Sequence, residues 1–451
     1  MTIELILQAF LASILGGILF SLIGVIPGTD ETATMAPITL VLVLLGVQPV
    51  VLFAWFIGIV VAMQITHTIP TAMTALPGST MAVPMIQHCK TAKSLGVPHV
   101  AMRKMAAGSL IGSLIAVPVS VGFALLLAPI GEVIKPYIGL IFTIGAIFIA
   151  YMSKAKWGAV IGLIPYAFLI QGIQKIAMEG VGKNLFISIF MGITIGPLIA
   201  EIFNILVPDI RKDQREEEKS KVYLAPEPNQ KNGFFPNPFK QFTSKQRKKV
   251  VIASAVSACT FTFSPVGMTV LLGELLTGRD KEVYQNSTLA VGIQDAVSNA
   301  TYIGELIIPL LAFGIPLSPV ALGPAAPLFN APPVFTTEPI MNLHNFLSWS
   351  DYLVYGLIGV IGGAAFAYPI AMSKARKWTE SMLRYVSHEA LIGSFLGLVC
   401  VLSFYEAGIL GIVITLTVSL FSGILHNRFH VHTGVQFMGF YASGFIVSLF
   451  M

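Results

Sequence analysis

Charged side chains are scarce in this chain. Only 11% of its 451 residues are Asp, Glu, Lys or Arg, where a soluble domain carries about 25%. With 55% hydrophobic residues beside them, that scarcity excludes an ordinary water-soluble protein: most of the chain must be solvated by lipid or by itself. Cysteine is nearly missing too. Cys89, Cys259 and Cys400 are scattered and odd in number, which suggests neither a disulfide framework nor a metal site. No Walker loop, nucleophile elbow, zinc motif or dinucleotide fingerprint is present, so ATP-driven transport and cofactor enzymology have no support. The net charge of +5 does not mark a nucleic-acid binder, because Lys and Arg lie almost wholly in loops. A cleavable leader is not expected either. The first apolar run, Leu5 to Ile26, lacks a basic stretch before it and a small-residue cleavage site after it, and reads as a retained span.

What the chain has in quantity is apolar runs of roughly the 17–25 residues that cross a bilayer. Cytoplasmic loops collect Lys and Arg. The loop Gln87–Lys104, with Lys90, Lys93, Arg103 and Lys104, is therefore inside, and runs 105–128, 137–152, 158–177 and 185–207 cross out, in, out and in. Residues 208–249 hold eleven Lys and Arg and several Pro and form a cytoplasmic linker. Beyond it, 250–277 leaves the cytoplasm and returns by breaking at Ser264–Gly267. Residues 286–323 then cross, and runs 352–373, 389–404, 408–425 and 434–451 follow. The loop 324–351 has no Lys or Arg, opposite in bias to Gln87–Lys104. Glu406 falls between two spans and reads as part of an outside turn.

The expected fold is an all-α polytopic membrane protein built as an inverted-topology repeat. Residues 1–207 and 250–451 form the halves, each with a re-entrant, broken hairpin region (26–86 and 263–323) and about four further transmembrane helices. Opposite charge bias at equivalent loops is what such a repeat predicts.

The two broken regions carry the chemistry. Backbone that cannot stay helical is tolerated at membrane depth only where protein or a water-filled cavity satisfies it, and a matched pair of interruptions is the best pointer to a carrier's binding site. In the first, Gly28, Thr29, Asp30 and Glu31 follow Pro27. Free N–H groups there favour an anion, hydroxyls and carbonyls a cation; the plainer reading is that the acids cap a helix. Gln64, Thr66, His67 and Thr68 come next, then a tip at Leu76–Thr80 that includes Gly78, Ser79 and Thr80. In the second, Asp295, Ser298, Asn299 and Thr301 cluster, and Asp295 and Asn299 are one helical turn apart on one face. Glu305 follows, either functional or paired with a scaffold cation, and then a tip at Gly314, Pro316 and Ser318. Acids within a span are functional-site hypotheses by default.

At these two regions the chain resembles the large membrane subunit of the tripartite tricarboxylate transporter family, the TctA family. Ile26–Pro27–Gly28, Ala36–Pro37–Ile38–Thr39 and Leu76–Pro77–Gly78 stand where that family has its first-half motifs. Gln294–Asp295–Ala296–Val297–Ser298–Asn299–Ala300, Ile303–Gly304–Glu305–Leu306–Ile307–Ile308–Pro309 and Phe313–Gly314–Ile315–Pro316 stand for its second-half motifs. There are departures. Ile65–Thr66–His67–Thr68 replaces a Tyr-Gly-Gly-Ser run, Ser298 replaces the first Asn of a pair, and Asp30, Glu31 and Glu305 are additional acids.

The resemblance implies a secondary active transporter of small organic anions, di- or tricarboxylate-like, driven by Na+ or H+ and needing no cofactor. Two opposed hairpins would form its site. Gly28, Thr29, Thr66, His67, Thr68, Gly78, Ser79, Thr80, Ser298, Asn299, Gly314, Pro316 and Ser318 would meet substrate. Asp30, Glu31, Gln64, Asp295, Thr301 and Glu305 would meet the coupling ion. Members of the family commonly work with a small membrane subunit and an extracytoplasmic binding protein. The expected location is a prokaryotic plasma membrane, with a homo-oligomer open. Competing readings are a stand-alone symporter for a non-carboxylate small molecule and, further off, a channel. An intramembrane enzyme would have only Asp30 with Asp295 as an acid pair.

Overall fold

The computed structural model describes residues 2–26, 29–74, 78–134, 137–152, 155–182, 185–199, 209, 233–261, 265–277, 282–330, 342–375, 377, 381, 388–431 and 433–450. The first half of the chain supplies α1 (Ile3–Gly24), α2 (Glu31–Leu44), α3 (Pro49–Thr66), α4 (Thr68–Thr74), α5 (Ile86–Ser94), α6 (Pro98–Ile134), α7 (Ile138–Met152), α8 (Trp157–Val181) and α9 (Phe186–Ile195). The second supplies α10 (Ser244–Ser257), α11 (Pro265–Thr277), α12 (Val283–Ile308), α13 (Pro319–Leu322), α14 (Ala326–Asn330), α15 (Leu343–Phe346), α16 (Trp349–Ser373), α17 (His388–Phe429) and α18 (Thr433–Ser448). Among the described residues, β pairing is confined to a single isolated bridge between Thr29 and Ser79.

Seven helical segments among the described residues are long and apolar enough to cross a membrane. Their faces behave as a lipid solvent requires. On α1, Ile3, Leu7, Leu11, Leu15 and Leu19 recur every fourth residue and are exposed, while Ala9, Ser13, Gly16, Gly17 and Phe20 are buried. The apolar stripe thus points outward and the small residues inward, where helices must approach closely. The most apolar stretch of Trp157–Val181 is only 33% buried, whereas those of Pro49–Thr74 and Val283–Phe313 are 89% and 100% buried. The two segments richest in interrupting and polar residues therefore lie at the centre of the molecule.

Small residues set the central crossings, and they do so twice. A side chain on Gly359 or Gly363 of α16 would meet the carbonyls of Ala54 and Gly58 on α3. Likewise, a side chain on Gly108 or Gly112 of α6 would meet the carbonyls of Gly292 and Ala296 on α12. Each contact is a four-residue repeat of small residues against another, the pattern that lets backbones touch in a bilayer. So α3 of the first half lies against α16 of the second, and α12 of the second against α6 of the first.

Around this core α1, α3 to α6, α10 to α12 and α16 pack together, while α7, α8, α9, α17 and α18 pack chiefly on one another. Between the two groups lie α2, which touches α3, α9, α14 and α17, and α13, which touches α18.

The expected spans are present with shifted ends. Helix α10 begins at Ser244, six residues before the expected Val250, because Thr243 and Gln246 form a reciprocal capping box there. The linker's end is not free either: Phe242 is buried, and its ring lies against Gly292. The chain breaks between α10 and α11 where expected, and Pro265 opens α11, a position that suits a residue without an N–H. Ser264, residues 278–281 and residues 210–232 lie outside the described residues. Runs 389–404 and 408–425 are the two arms of α17, and the chain reverses between them at the non-helical pair Ala407–Gly408, which brings Ser403 Oγ within 2.6 Å of Thr415 Oγ1.

Candidate functional site

Helix α3 does not stop at Pro70. It bends at His67 and continues as α4 to Thr74. The hydroxyls of Thr66, Thr68, Thr71 and Thr74 donate to carbonyls one turn earlier, Ala62, Ile65, His67 and Pro70, which helps a threonine-rich stretch remain helical inside an apolar core. Past the undescribed residues 75–77 the chain folds back on itself. Gly78 N–H donates to Thr71 Oγ1 at 3.0 Å, and Thr29 N–H donates to Gly78 O at 3.3 Å. A side chain at Gly78 would strike the His67 backbone, so only glycine lets the strand lie this close. The two breaks of the first half are thereby stitched to each other, Thr29 to Gly78 and Ser79.

This fold-back brings three side chains into line. The Nδ1 of His67 lies 2.8 Å from Ser79 Oγ, and its Nε2 lies 3.3 Å from Asp295 Oδ1. His67 and Asp295 are both fully buried. Asp295 belongs to α12, so the contact joins the broken segment of the first half to the long helix of the second.

Asn299 turns away. Its amide donates to the Asp295 carbonyl at 3.1 Å, and its Oδ1 accepts from Ser113 on α6 at 3.3 Å. Asp295 and Asn299 share one face of α12 as expected, the first meeting His67 at the bend between α3 and α4 and the second meeting α6. Asn299 thus has both ends engaged by protein.

Glu305 has no scaffold cation as its hydrogen-bond partner. Its Oε2 accepts from Val320 N–H at 3.1 Å, its carbonyl accepts from Ser318 Oγ at 2.6 Å, and Ser318 Oγ accepts from Ala321 N–H at 3.0 Å. The acid therefore helps cap the short helix α13. Gly314 ends the preceding π-turn in the left-handed region, with φ +65, which favours glycine. Its carbonyl accepts from Asn342 Nδ2 at 2.7 Å, and Pro316 is buried beside it.

Asp30 takes the capping role: its Oδ1 accepts from Ala33 N–H at 2.7 Å. Glu31, by contrast, is only 3% exposed. Both acids stand within electrostatic reach of Tyr302, as Glu305 does, and Thr32 abuts Gly323 at the end of α13. Gly28, Leu76 and Pro77, and the side chain of Thr80, lie outside the described residues. Glu406 is not an exposed turn residue. It is 9% exposed, and its carboxylate accepts from Ile187 N–H, Ser188 N–H and Ser188 Oγ at 2.7–2.8 Å, closing the N-terminus of α9.

One row of atoms has no partner among the described residues. Gln64 Oε1 and Nε2, Asp295 Oδ2, Ser298 Oγ, Thr301 Oγ1 and Glu305 Oε1 are buried without a hydrogen bond. An unmet buried polar atom costs about 1–3 kcal/mol, and such a row calls for a polar occupant. At 100° per residue, Ser298, Thr301 and Glu305 fall within about 60° of one another on α12. From Asp295 to Glu305 the helix rises about 15 Å, so the stripe runs along much of the membrane core. Ser109 Oγ on α6 is also unpaired. It and Ser113 were not singled out from sequence, although their place beside Gly108 and Gly112 marks them as facing α12.

Seven helical segments long and apolar enough to cross a membrane, packed through glycine contacts around a buried polar stripe, define a multi-pass membrane protein. The family model described as tripartite tricarboxylate transporter TctA family matches residues 10–436, nearly the whole chain, and the chain belongs to that family, a membrane component of a tricarboxylate transporter. No curated protein and no solved structure matches significantly.

Proposed function

We propose that this chain is the membrane carrier of a secondary transport system for small organic anions of the di- or tricarboxylate kind, coupled to a cation. The single observation that carries this reading is the row of buried, unpartnered polar atoms from Gln64 and Asp295 to Glu305, which lies along two segments that break inside the membrane core. Hydroxyl and amide groups there suit a carboxylate; Asp295, Glu305 and the Thr301 hydroxyl suit a cation. Glu31 and Asp30 extend the acidic end.

Alternating access through an inverted repeat is supported by reciprocity. The first half's α3 and α6 pack on the second half's α16 and α12 through matching small-residue repeats. The grouping of α7 to α9 with α17 and α18, apart from the rest, suits a scaffold against which a transport unit moves. In the family's manner the chain would work with a small membrane subunit and an extracytoplasmic binding protein, in a prokaryotic plasma membrane.

The test is thermal stabilisation of the purified chain by a panel of carboxylates, with and without Na+ and across pH, followed by uptake in liposomes. A cation-dependent upward shift with a carboxylate, and at least a tenfold loss of uptake in Asp295→Asn, are the expected results. No shift with any anion, or wild-type uptake in Asp295→Asn together with Ser298→Ala, would overturn the reading.

A further inference from the structure

The identity of the coupling ion follows from which atoms stand around Asp295. We propose that His67 and Asp295 hold a transported proton between them, so that this chain couples its anion to H+ and not to Na+; the inference rests on the carrier reading above. Three observations carry it.

The first is the neighbour. Na+, like other hard cations, takes oxygen ligands, and the group set against Asp295 Oδ1 is an imidazole nitrogen at 3.3 Å. At Oδ1 a Na+ would have to displace the ring or sit beside a nitrogen it does not favour, so the place between His67 and Asp295 suits a proton better than a metal ion. A proton needs no such space: with Nε2–H donated to the carboxylate, the Nδ1 lone pair takes it, and the Ser79 hydroxyl, 2.8 Å away, turns to accept the new N–H. The second is position. His67 stands at the bend between α3 and α4, and its other nitrogen is tied to Ser79 at 2.8 Å. Protonation therefore acts on the contact between the first half's fold-back and α12 of the second half, a place where it can bias two arrangements. The third is charge. Without the proton the buried pair carries −1, which repels an arriving anion. With it the pair is neutral, and Asp295 Oδ2, which has no protein partner, is no longer the centre of a net negative charge. Anion and proton thus favour each other's binding, and by linkage each tightens the other by the same factor.

Other titratable groups on the surrounding elements are His88, Cys89, Lys90 and Lys93 on α5, His99, Arg103, Lys104 and Glu132 on α6, Tyr284, Tyr302 and Glu305 on α12, Asp30 and Glu31 around the start of α2, Glu274 on α11 and Lys245, Arg247, Lys248 and Lys249 at the start of α10. The Lys93 ammonium donates to the Thr74 carbonyl of α4 at 3.3 Å. His67 and Cys89 are the ones that couple electrostatically to Asp295. The Lys104 ammonium is held by Thr288 at 3.0 Å, two turns from Asp295 along α12.

Citrate is the probe. With the full chain in Na+-free proteoliposomes, an inward proton gradient should raise citrate accumulation at least tenfold, with acidification of a lumenal pH dye. In His67→Gln, gradient-driven accumulation should fall at least tenfold further than citrate–citrate exchange does. Equal loss of both would mean that His67 only binds substrate or holds structure, and would overturn the proposal. So would accumulation that needs Na+ and ignores the pH gradient. A second readout uses protein in weakly buffered detergent: adding citrate should take up about one more proton per wild-type chain than per His67→Gln chain. Citrate that stabilises the wild type with no such difference sinks the proton assignment and leaves the carrier reading standing. Failure of any carboxylate to stabilise the wild type, with or without Na+, sinks both.

Discussion

Ser79 and Ser318 mirror each other in the two halves. Each immediately precedes a short helical turn, Thr80–Met85 in one case and Pro319–Leu322 in the other. Each hydroxyl is bound to a buried residue one short segment earlier, Ser79 to the His67 ring at 2.8 Å and Ser318 to the Glu305 carbonyl at 2.6 Å. The equivalent place therefore holds a base in the first half and an acid in the second. The two places thus share a serine before a short helical turn and differ in the buried residue that it binds.

Ser318 is bound to the fold more tightly than its partner, because its oxygen also caps α13 by accepting from Ala321 N–H at 3.0 Å. Replacing it with alanine removes that cap and the bond to the Glu305 carbonyl together. Ser318→Ala is expected to cost about 1–2 kcal/mol, read as a lower unfolding temperature in detergent. Ser318→Thr keeps an oxygen in the capping place and should recover most of the loss. Equal melting of all three proteins would show that the cap carries no stability.

Glu305 separates structure from ion coupling. Its Oε2 holds Val320 N–H at 3.1 Å, and a glutamine oxygen can accept the same bond. Glu305→Gln is therefore expected to fold and melt close to the wild type. Glu305→Ala leaves a buried N–H unmet and should cost about 1–3 kcal/mol. If the free Oε1 serves transport, the glutamine variant loses uptake while its melting curve stays put. Uptake and melting measured side by side decide the point, and normal uptake by Glu305→Gln removes this acid from the ion path.

The glycine crossings make a matched prediction. Gly108 of α6 meets the Gly292 carbonyl and Gly363 of α16 meets the Gly58 carbonyl, while Gly122, also on α6, has open space where a side chain would go. Gly108→Ala and Gly363→Ala are expected to destabilise by about 1–3 kcal/mol each, as overpacked cores do. Gly122→Ala should be neutral or slightly stabilising, since alanine favours a helix. Unfolding temperatures of the three variants test this, and a loss at Gly122 as large as at Gly108 would contradict the packing argument.

Much of the architecture was legible because membrane solvation leaves few choices. Apolar run length located the long spans, and Pro or Gly inside such runs pointed to interruptions at Pro27–Gly28, Pro77–Gly78, Ser264–Gly267 and Gly314–Pro316. Of these, Gly314 ends a helical segment in the left-handed region, and Pro265–Gly267 are helical. Asp295, His67, Ser79 and Ser318 stood out because polar groups at membrane depth need a reason. Their partners did not. Nothing in sequence spacing says that His67 meets a residue 228 positions away, since that pairing depends on how the halves dock. Nor does spacing say that Asn299 meets Ser113, since the rotation of α12 is set by the Gly292 and Ala296 contacts with α6. A one-helix pattern cannot report that rotation.

Glu406 stands beside a turn between two spans, as its place in the sequence suggests, yet it is buried. In the fold the non-helical pair Ala407–Gly408 bends α17 beside it, and the carboxylate lies across the start of α9, accepting two backbone N–H groups and the Ser188 hydroxyl at 2.7–2.8 Å. The first N–H groups of a helix have no partner within it, and α9 lacks a side-chain cap of its own at Leu185. An ionised acceptor at a helix N-terminus is also favoured by the dipole. Glu406→Ala is therefore expected to cost about 2 kcal/mol or more, because buried donors are left unmet. Glu406→Gln keeps one acceptor and should lose roughly half as much. Since α9 and α17 belong to the group that packs apart from the transport stripe, the glutamine variant should lower stability while leaving the affinity for a stabilising anion unchanged within about twofold, a difference worth only ~0.4 kcal/mol. Melting curves recorded over an anion titration give both numbers at once. A tenfold weakening of anion binding in Glu406→Gln would mean that this bundle does not act as a passive scaffold.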